Sequence, residues 1–234
     1  MSTLLIELAG PQQAWGSRSR FATRATELAP TRSGVIGLVA AALGLARTEP
    51  LDRFDKLEFG VRIDQPGRIE RDFQTARTLD GKTSMPLSQR FYLADAVFLA
   101  ALGTEDRAML ESLRQALTHP RFPLYLGRRA FPPARPLMPE IVDRPLREAL
   151  REAAWRASPW YQRVRSVEQP ALEILADALP GETGAFTLRD VPRSFDPRRR
   201  LHDLRGVAAL STAGDTSTHV SPHDPMLLVS EEEV

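Results

Sequence analysis

Residues 3–8 form a compact apolar run that stops at Gly10-Pro11, the pattern of a short buried strand. Pro30-Thr31 then supplies a break and a cap. A helix follows over residues 35–46, with Gly34, Gly37, Ala41 and Gly44 along one small face that permits close packing. Residues 57–63 alternate apolar and polar as a second strand, and residues 64–67 turn the chain. Apolar periodicity fades between residues 68 and 90 around the turn signal Asp80-Gly81, which predicts a projecting hairpin arm. Residues 91–102 return to strand. Thr104-Glu105-Asp106 opens a helix striped by Leu110, Leu113 and Leu117, His119-Pro120 stops it, and residues 122–126 read as a fourth strand. The order strand-helix-strand-strand-helix-strand predicts an α+β, ferredoxin-like split βαβ domain of the RRM type.

Four prolines between Phe131 and Pro139 exclude a regular interior element and suggest a domain boundary. The expected division is a first domain over residues 1–135, with its projecting arm at 68–90, and a smaller strand-containing part over 136–210. In that second part residues 145–155 read as a helix with Leu146, Ala149, Leu150 and Ala153 inward, and residues 185–191 and 204–210 as strands. Residues 211–234 end in three glutamates and read as a loose tail.

Composition narrows this picture in two ways. The 31 basic residues almost balance the 30 acidic ones, so any nucleic-acid surface is local and not a global field. Lys56 and Lys82 are the only lysines, which leaves positive charge to arginine, the better side chain for bidentate phosphate contacts and base stacking. The absence of cysteine excludes disulfides, thiol nucleophiles and cysteine-ligated zinc. The early Glu7 and lack of a basic leader argue against a secretory signal, and the longest apolar run is too short for a bilayer span. The expected setting is the cytoplasm, with no membrane contact.

Candidate chemistry clusters in three motifs: Ala9-Gly10-Pro11-Gln12-Gln13-Ala14-Trp15-Gly16, Pro30-Thr31-Arg32-Ser33-Gly34-Val35-Ile36-Gly37, and Tyr125-Leu126-Gly127-Arg128-Arg129. After Trp15, itself read as a hydrophobic anchor for its loop, Arg18, Arg20, Arg24 and Arg32 meet one acid, Glu27. That segment is either a phosphate-tracking loop or an ordinary solvated one. Thr31, Arg32 and Ser33 at a helix start would add free amides and hydroxyls for an anion. In the third motif, Gly127 lets the backbone approach a ligand, Tyr125 is a stacking candidate, and Arg128 and Arg129 have no acid nearby. Alternatively this is a surface turn with a core tyrosine. His219 and His223 straddle Ser221-Pro222, so no metal site is expected. A metal-independent ribonuclease would need a histidine or tyrosine base beside a cation, and His119, Tyr92 and Tyr125 are scattered.

Taken together, the three motifs, with Asp64-Gln65 after the second strand and Phe73-Gln74-Thr75 entering the arm, resemble the CRISPR Cas-five family. This family supplies the CasD-type subunit of the type I-E surveillance complex Cascade. The resemblance implies a RAMP fold and a noncatalytic subunit, without cofactors, that holds the repeat-derived 5′ handle of CRISPR RNA and caps the backbone filament. Arg18, Arg20, Arg24, Thr31, Arg32, Ser33, Tyr125, Gly127, Arg128 and Arg129 would surround the handle. Arg71, Phe73, Arg77, Met85 and Leu87 of the thumb would touch the guide or a neighbouring subunit. Implied partners are CRISPR RNA, a CasC-type backbone and a CasA-type large subunit, with target DNA met only through the assembled complex. The alternative is a metal-independent endoribonuclease that processes repeat RNA, as a related branch does.

Overall fold

The computed structural model describes residues 1–16, 23–165, 170–182 and 185–213. In chain order the elements are β1 (Ser2–Ala9), β2 (Gln12–Gln13), β3 (Thr23–Arg24), α1 (Arg32–Leu43), β4 (Glu58–Gln65), β5 (Arg68–Gln74), β6 (Ser88–Ala94), β7 (Val97–Thr104), α2 (Arg107–Thr118), β8 (Glu140–Val142), α3 (Leu146–Glu152), α4 (Pro159–Arg165), β9 (Glu173–Asp177), β10 (Phe186–Ser194) and β11 (Leu201–Ser211). The result is an α+β fold around an antiparallel sheet of seven strands, in the order β10-β11-β9-β4-β7-β1-β8. Within it, α1 joins β1 to β4 and α2 joins β7 to β8.

The continuous apolar run of β1 has a structural reason: both faces of the sheet are covered. Leu4, Ile6 and Leu8 join Phe59, Phe98 and Leu102 under α1 and α2. Leu5 faces the other way, with Leu99 and Ala101, into a second core closed by Leu146, Ala149 and Leu150 of α3. These α3 residues point inward as the sequence predicts. The C-terminal strands extend the same sheet, β9 pairing with β4, so residue 135 does not separate two sheets.

Two sequence expectations are corrected here. Residues 91–102 are not one strand: the chain breaks at Asp95, whose φ of 55° lies in the left-handed region, and β6 and β7 enter different sheets. Residues 122–126 form no strand, because Pro120 and Pro123 interrupt them. The role of fourth strand passes to β8, only three residues long, which pairs with β1. The helix α4 and the strand β9 were not anticipated.

A second small sheet sits at the base of the arm. β5 and β6 form its antiparallel ribbon, while β2 and β3 pair along the other edge of β6. Beyond the ribbon, Arg77 bridges Ser84 and the chain turns at Gly81, with Gly81 N donating to Thr78 O at 2.9 Å. The arm expected at residues 68–90 is therefore a hairpin about the Asp80-Gly81 turn.

One buried ion pair fastens the arm's root to the second half of the chain. Arg62 is 1% exposed and grips both Asp64 carboxylate oxygens, at 2.7 and 2.8 Å. Its remaining donors reach the carbonyls of Leu150, Ala153 and Ala154 at 2.6–2.8 Å, satisfying orphaned acceptors at the end of α3. Asp64 and Gln65 continue the attachment. Asp64 accepts from Arg156 N and Trp155 Nε1, and Gln65 Oε1 accepts from Ser158 N and Oγ.

Candidate nucleic-acid interface

The three sequence motifs meet in space, and they meet one another. Trp15 is 1% exposed and lies against Gly34, where an added Cβ would sit 2.7 Å from the indole ring. Trp15 is thus the anchor expected of it. Gln13, also buried, receives the indole N–H at 3.1 Å and donates to the carbonyls of Leu8 and Ala96, tying β1 to the start of β7. Ala14 N donates to Leu126 O at 3.1 Å. At Gly127, with φ of 89°, a Cβ would overlap the Ala14 carbonyl oxygen. Gly127 admits the chain's own backbone, not a ligand's, and this corrects the reason given for it from sequence.

The start of α1 also departs from expectation. Thr31 caps the helix, its Oγ1 accepting from Gly34 N at 3.2 Å, and half-buried Ser33 lies 3.4 Å from that hydroxyl. Arg32 N donates to Asp190 Oδ2 at 2.8 Å, so an internal carboxylate occupies the place a phosphate would take. The Arg32 guanidinium is buried as well, reaching Asp177 at 3.0 Å and the Leu57 carbonyl at 2.8 Å. Arg205 completes the group, bonding both carboxylates at 2.7–3.0 Å and covering the Phe59 ring at 5.0 Å. Arg32 and Thr31 are therefore structural residues.

Charge is unbalanced at the base of the arm. Arg24 on β3 pairs in register with Arg90 on β6, and Arg90 lies opposite Asp72 on β5. Arg128 joins them from its loop. Its Nη2 donates to Phe91 O at 2.7 Å and Arg24 O at 3.3 Å, and its guanidinium lies 5.5 Å from the Phe131 ring centre. Phe131 in turn packs against Tyr92 at 5.6 Å. Burial first, then the charges of Arg90 and Arg24, push the Arg128 pKa down, while Asp72 opposes them. An anion between these guanidiniums would relieve the repulsion. Arg129 is exposed beside them and Tyr125 is half-buried. Arg18 and Arg20 lie outside the described residues, as do His219 and His223.

The sequence model of the CRISPR-associated protein (Cas_Cas5) family matches residues 3–207. The chain belongs to this family. The CRISPR system Cascade subunit CasD of Escherichia coli (strain K12) is 37% identical over 155 residues, 58% of this chain and 69% of that relative. A chain of a CRISPR RNA-guided surveillance complex superposes with a TM-score of 0.73 at 31% identity, covering 99% of this chain and 100% of its own length. A second solved structure, of a Cas protein, superposes with a TM-score of 0.71 at 36% identity, covering 91% of this chain and 95% of that one.

In this Cas5-family chain the arm presents apolar side chains to solvent. Phe73 is 49% exposed with the Arg71 guanidinium 5.1 Å from its ring centre, Met85 and Leu87 are each 52% exposed, and Arg77 is exposed beside the turn. Sequence reasoning missed Leu79, fully exposed near the tip. It also missed Arg90 as a member of the cluster. Among the described residues no group of three or more His, Cys, Asp or Glu side chains is placed to hold a metal ion. Among them, too, no helix is long and apolar enough to cross a membrane.

Proposed function

We propose that the chain is a noncatalytic, cytoplasmic CRISPR RNA-binding subunit of a type I-E Cascade complex. It holds the repeat-derived 5′ handle and caps one end of the backbone filament, so that the assembled complex can target foreign DNA. The observation that carries this reading is the meeting of Arg24, Arg90 and Arg128 at the arm's base, with Asp72 the acid set among them. Guanidiniums at such spacing suit the phosphates of a single strand, while neighbouring rings such as Tyr92 suit its bases. The CasD relative's name, as a Cascade subunit, and the surveillance-complex chain that this fold resembles support the same assignment.

The unit β1-α1-β4-β7-α2-β8, with sheet order β8-β1-β7-β4, is read as a ferredoxin-like RAMP core. The hairpin inserted between β4 and β7 is then the thumb. Its exposed Phe73, Leu79, Met85 and Leu87 suit contact with the guide or an adjacent CasC-type subunit, because a projection has no core in which to bury them. Arg71, Arg77 and Arg129 belong to the same proposed surface, and a CasA-type subunit to the same assembly.

The test is retention of end-labelled repeat RNA against a scrambled control, by the full chain alone and reconstituted with its partner subunits, with and without chelator. Handle-selective retention without a cut is expected. Equal retention of the scrambled RNA overturns the reading, and chelator-resistant cleavage replaces it with a processing ribonuclease.

A further inference from the structure

The ribbon of β5 and β6 has a second face. In antiparallel register, Asp72, Arg90 and Tyr92 share the side that carries the arginine cluster, while Ile69, Arg71, Phe73, Phe91 and Leu93 share the opposite side. That opposite side floors a cleft of about 940 Å³. Ile69, Phe91 and Leu93 form its apolar base, and Trp155, Tyr161 and Arg165 stand across from them. None of these three belongs to the cluster or to the thumb tip.

The wall across the cleft is built and fixed. Trp155 Nε1 donates to Asp64 O at 2.8 Å, and Ser158 is held by Gln65 at 2.7 Å, so the buried Arg62–Asp64 pair sets the position of the chain entering α4. Tyr161 meets Trp155 edge to face at 6.3 Å. The Arg165 guanidinium covers the Tyr161 ring at 5.3 Å and donates to its hydroxyl. On the ribbon side, Arg71 covers Phe73 at 5.1 Å. The cleft therefore carries Arg71 on its ribbon side and, across from it, Arg165 stacked on Tyr161, with Arg68, Glu70 and Glu173 also in its lining.

We infer that this cleft receives an unstacked nucleobase of the same single-stranded RNA whose phosphates lie on the arginine cluster, an inference that rests on the RNA-binding reading above. An apolar floor with aromatic and guanidinium planes at the sides matches the flat, polar-edged surface of a base, and the rim arginines match its flanking phosphates. The two sites lie back to back on one two-stranded ribbon whose outer strand, β5, has no further partner strand among the described residues. A strand passing over that edge meets both.

The experiment is a scan of single abasic positions through the repeat-derived RNA, with binding measured for the wild-type chain and for Tyr161→Ala, in whichever preparation retains the RNA. One abasic position is expected to weaken wild-type binding by about tenfold, and to have no further effect in Tyr161→Ala, because the pocket it would have filled is already lost. Arg165→Ala, at an exposed position, gives the same readout should Tyr161→Ala unfold, which circular dichroism reports. A wild-type chain that binds, with every abasic position costing the same in wild type and variants, overturns the cleft and leaves the RNA-binding reading intact. If no preparation retains the RNA, that reading fails and the cleft inference with it. A flat scan combined with loss of partner subunits from Tyr161→Ala overturns the nucleobase and assigns the cleft to a protein contact.

Discussion

At the start of α1, Arg32 and Arg205 face Asp177 and Asp190, two cations against two anions, in a setting where Asp190 is 0% exposed. At the base of the arm, Arg24, Arg90 and Arg128 gather around Asp72 at the surface. In the sequence, Arg32 and Arg128 look alike: each stands within two residues of a glycine at the end of a predicted element, with no acid within four residues. The acids decide between them. Asp177 and Asp190 arrive from β9 and β10, more than 140 residues later, and turn the first site inward. A charge that is paired inside holds the fold together, and a charge crowded by its own kind at the surface is left to bind something else.

The comparison breaks most visibly if Asp190 is removed. Asp190→Ala leaves the Arg32 amide without its acceptor and Arg205 with Asp177 alone, at a cost of about 3–5 kcal/mol. For a chain of this size that lowers the thermal midpoint by about 10 °C, which differential scanning calorimetry measures. RNA affinity of the folded fraction should not change. A gain in affinity, with Arg32 and its helix amide turned toward phosphate, would erase the distinction between the two sites.

Gly127→Ala comes next, because it forces a methyl group into the Ala14 carbonyl at a backbone conformation that disfavours side chains. The expected loss is about 3 kcal/mol in urea unfolding. RNA retention should fall with it, since Arg128 is the next residue. Arg24→Ala and Arg90→Ala, by contrast, should leave the midpoint nearly unchanged while each weakens RNA binding by about 1–3 kcal/mol and flattens the salt dependence by about one phosphate contact. Salt-titrated filter binding checks both. A loss of stability in place of affinity would move these arginines into the internal class.

How much of this was legible follows the same division. The run at residues 3–8, the leucine stripe of α2 and the inward face of α3 could be read because each is a local periodicity. The short strand β8 and the edge pieces β2 and β3 could not, since three residues or fewer carry no period. Arg90 escaped for a more specific reason. Counting outward from Asp80-Gly81 in the register of Arg77 with Ser84 sets Arg71 opposite Arg90. The register slips by one residue before Gln74 pairs with Ser88, and Asp72 becomes its partner. The turn signal marks the hairpin but does not by itself set which residue lies opposite Arg90. The roles of Arg32 and Gly127 were equally out of reach, because they depend on Asp190 and Ala14, contacts across 158 and 113 positions.

The smallest expected effect sharpens the comparison from its internal side. His202 on β11 is half-buried beside Phe195, and burial, followed by the charge of Arg200, holds its pKa below the ordinary value, while Asp190 pulls the other way. The unfolded chain, with an ordinary imidazole near about 6.5, therefore binds a proton at a pH where the folded chain does not. Stability is unaffected well above that value and falls as pH drops through it, because the unfolded state takes up more protons. His202→Gln should remove this part of the pH dependence between about pH 7 and 5. Should the slope persist in the variant, the proton is being taken up elsewhere. Should the substitution instead steepen the loss at low pH, Asp190 outweighs burial at His202, and the internal network reaches three residues further along β11 than its bonds to Arg205 indicate.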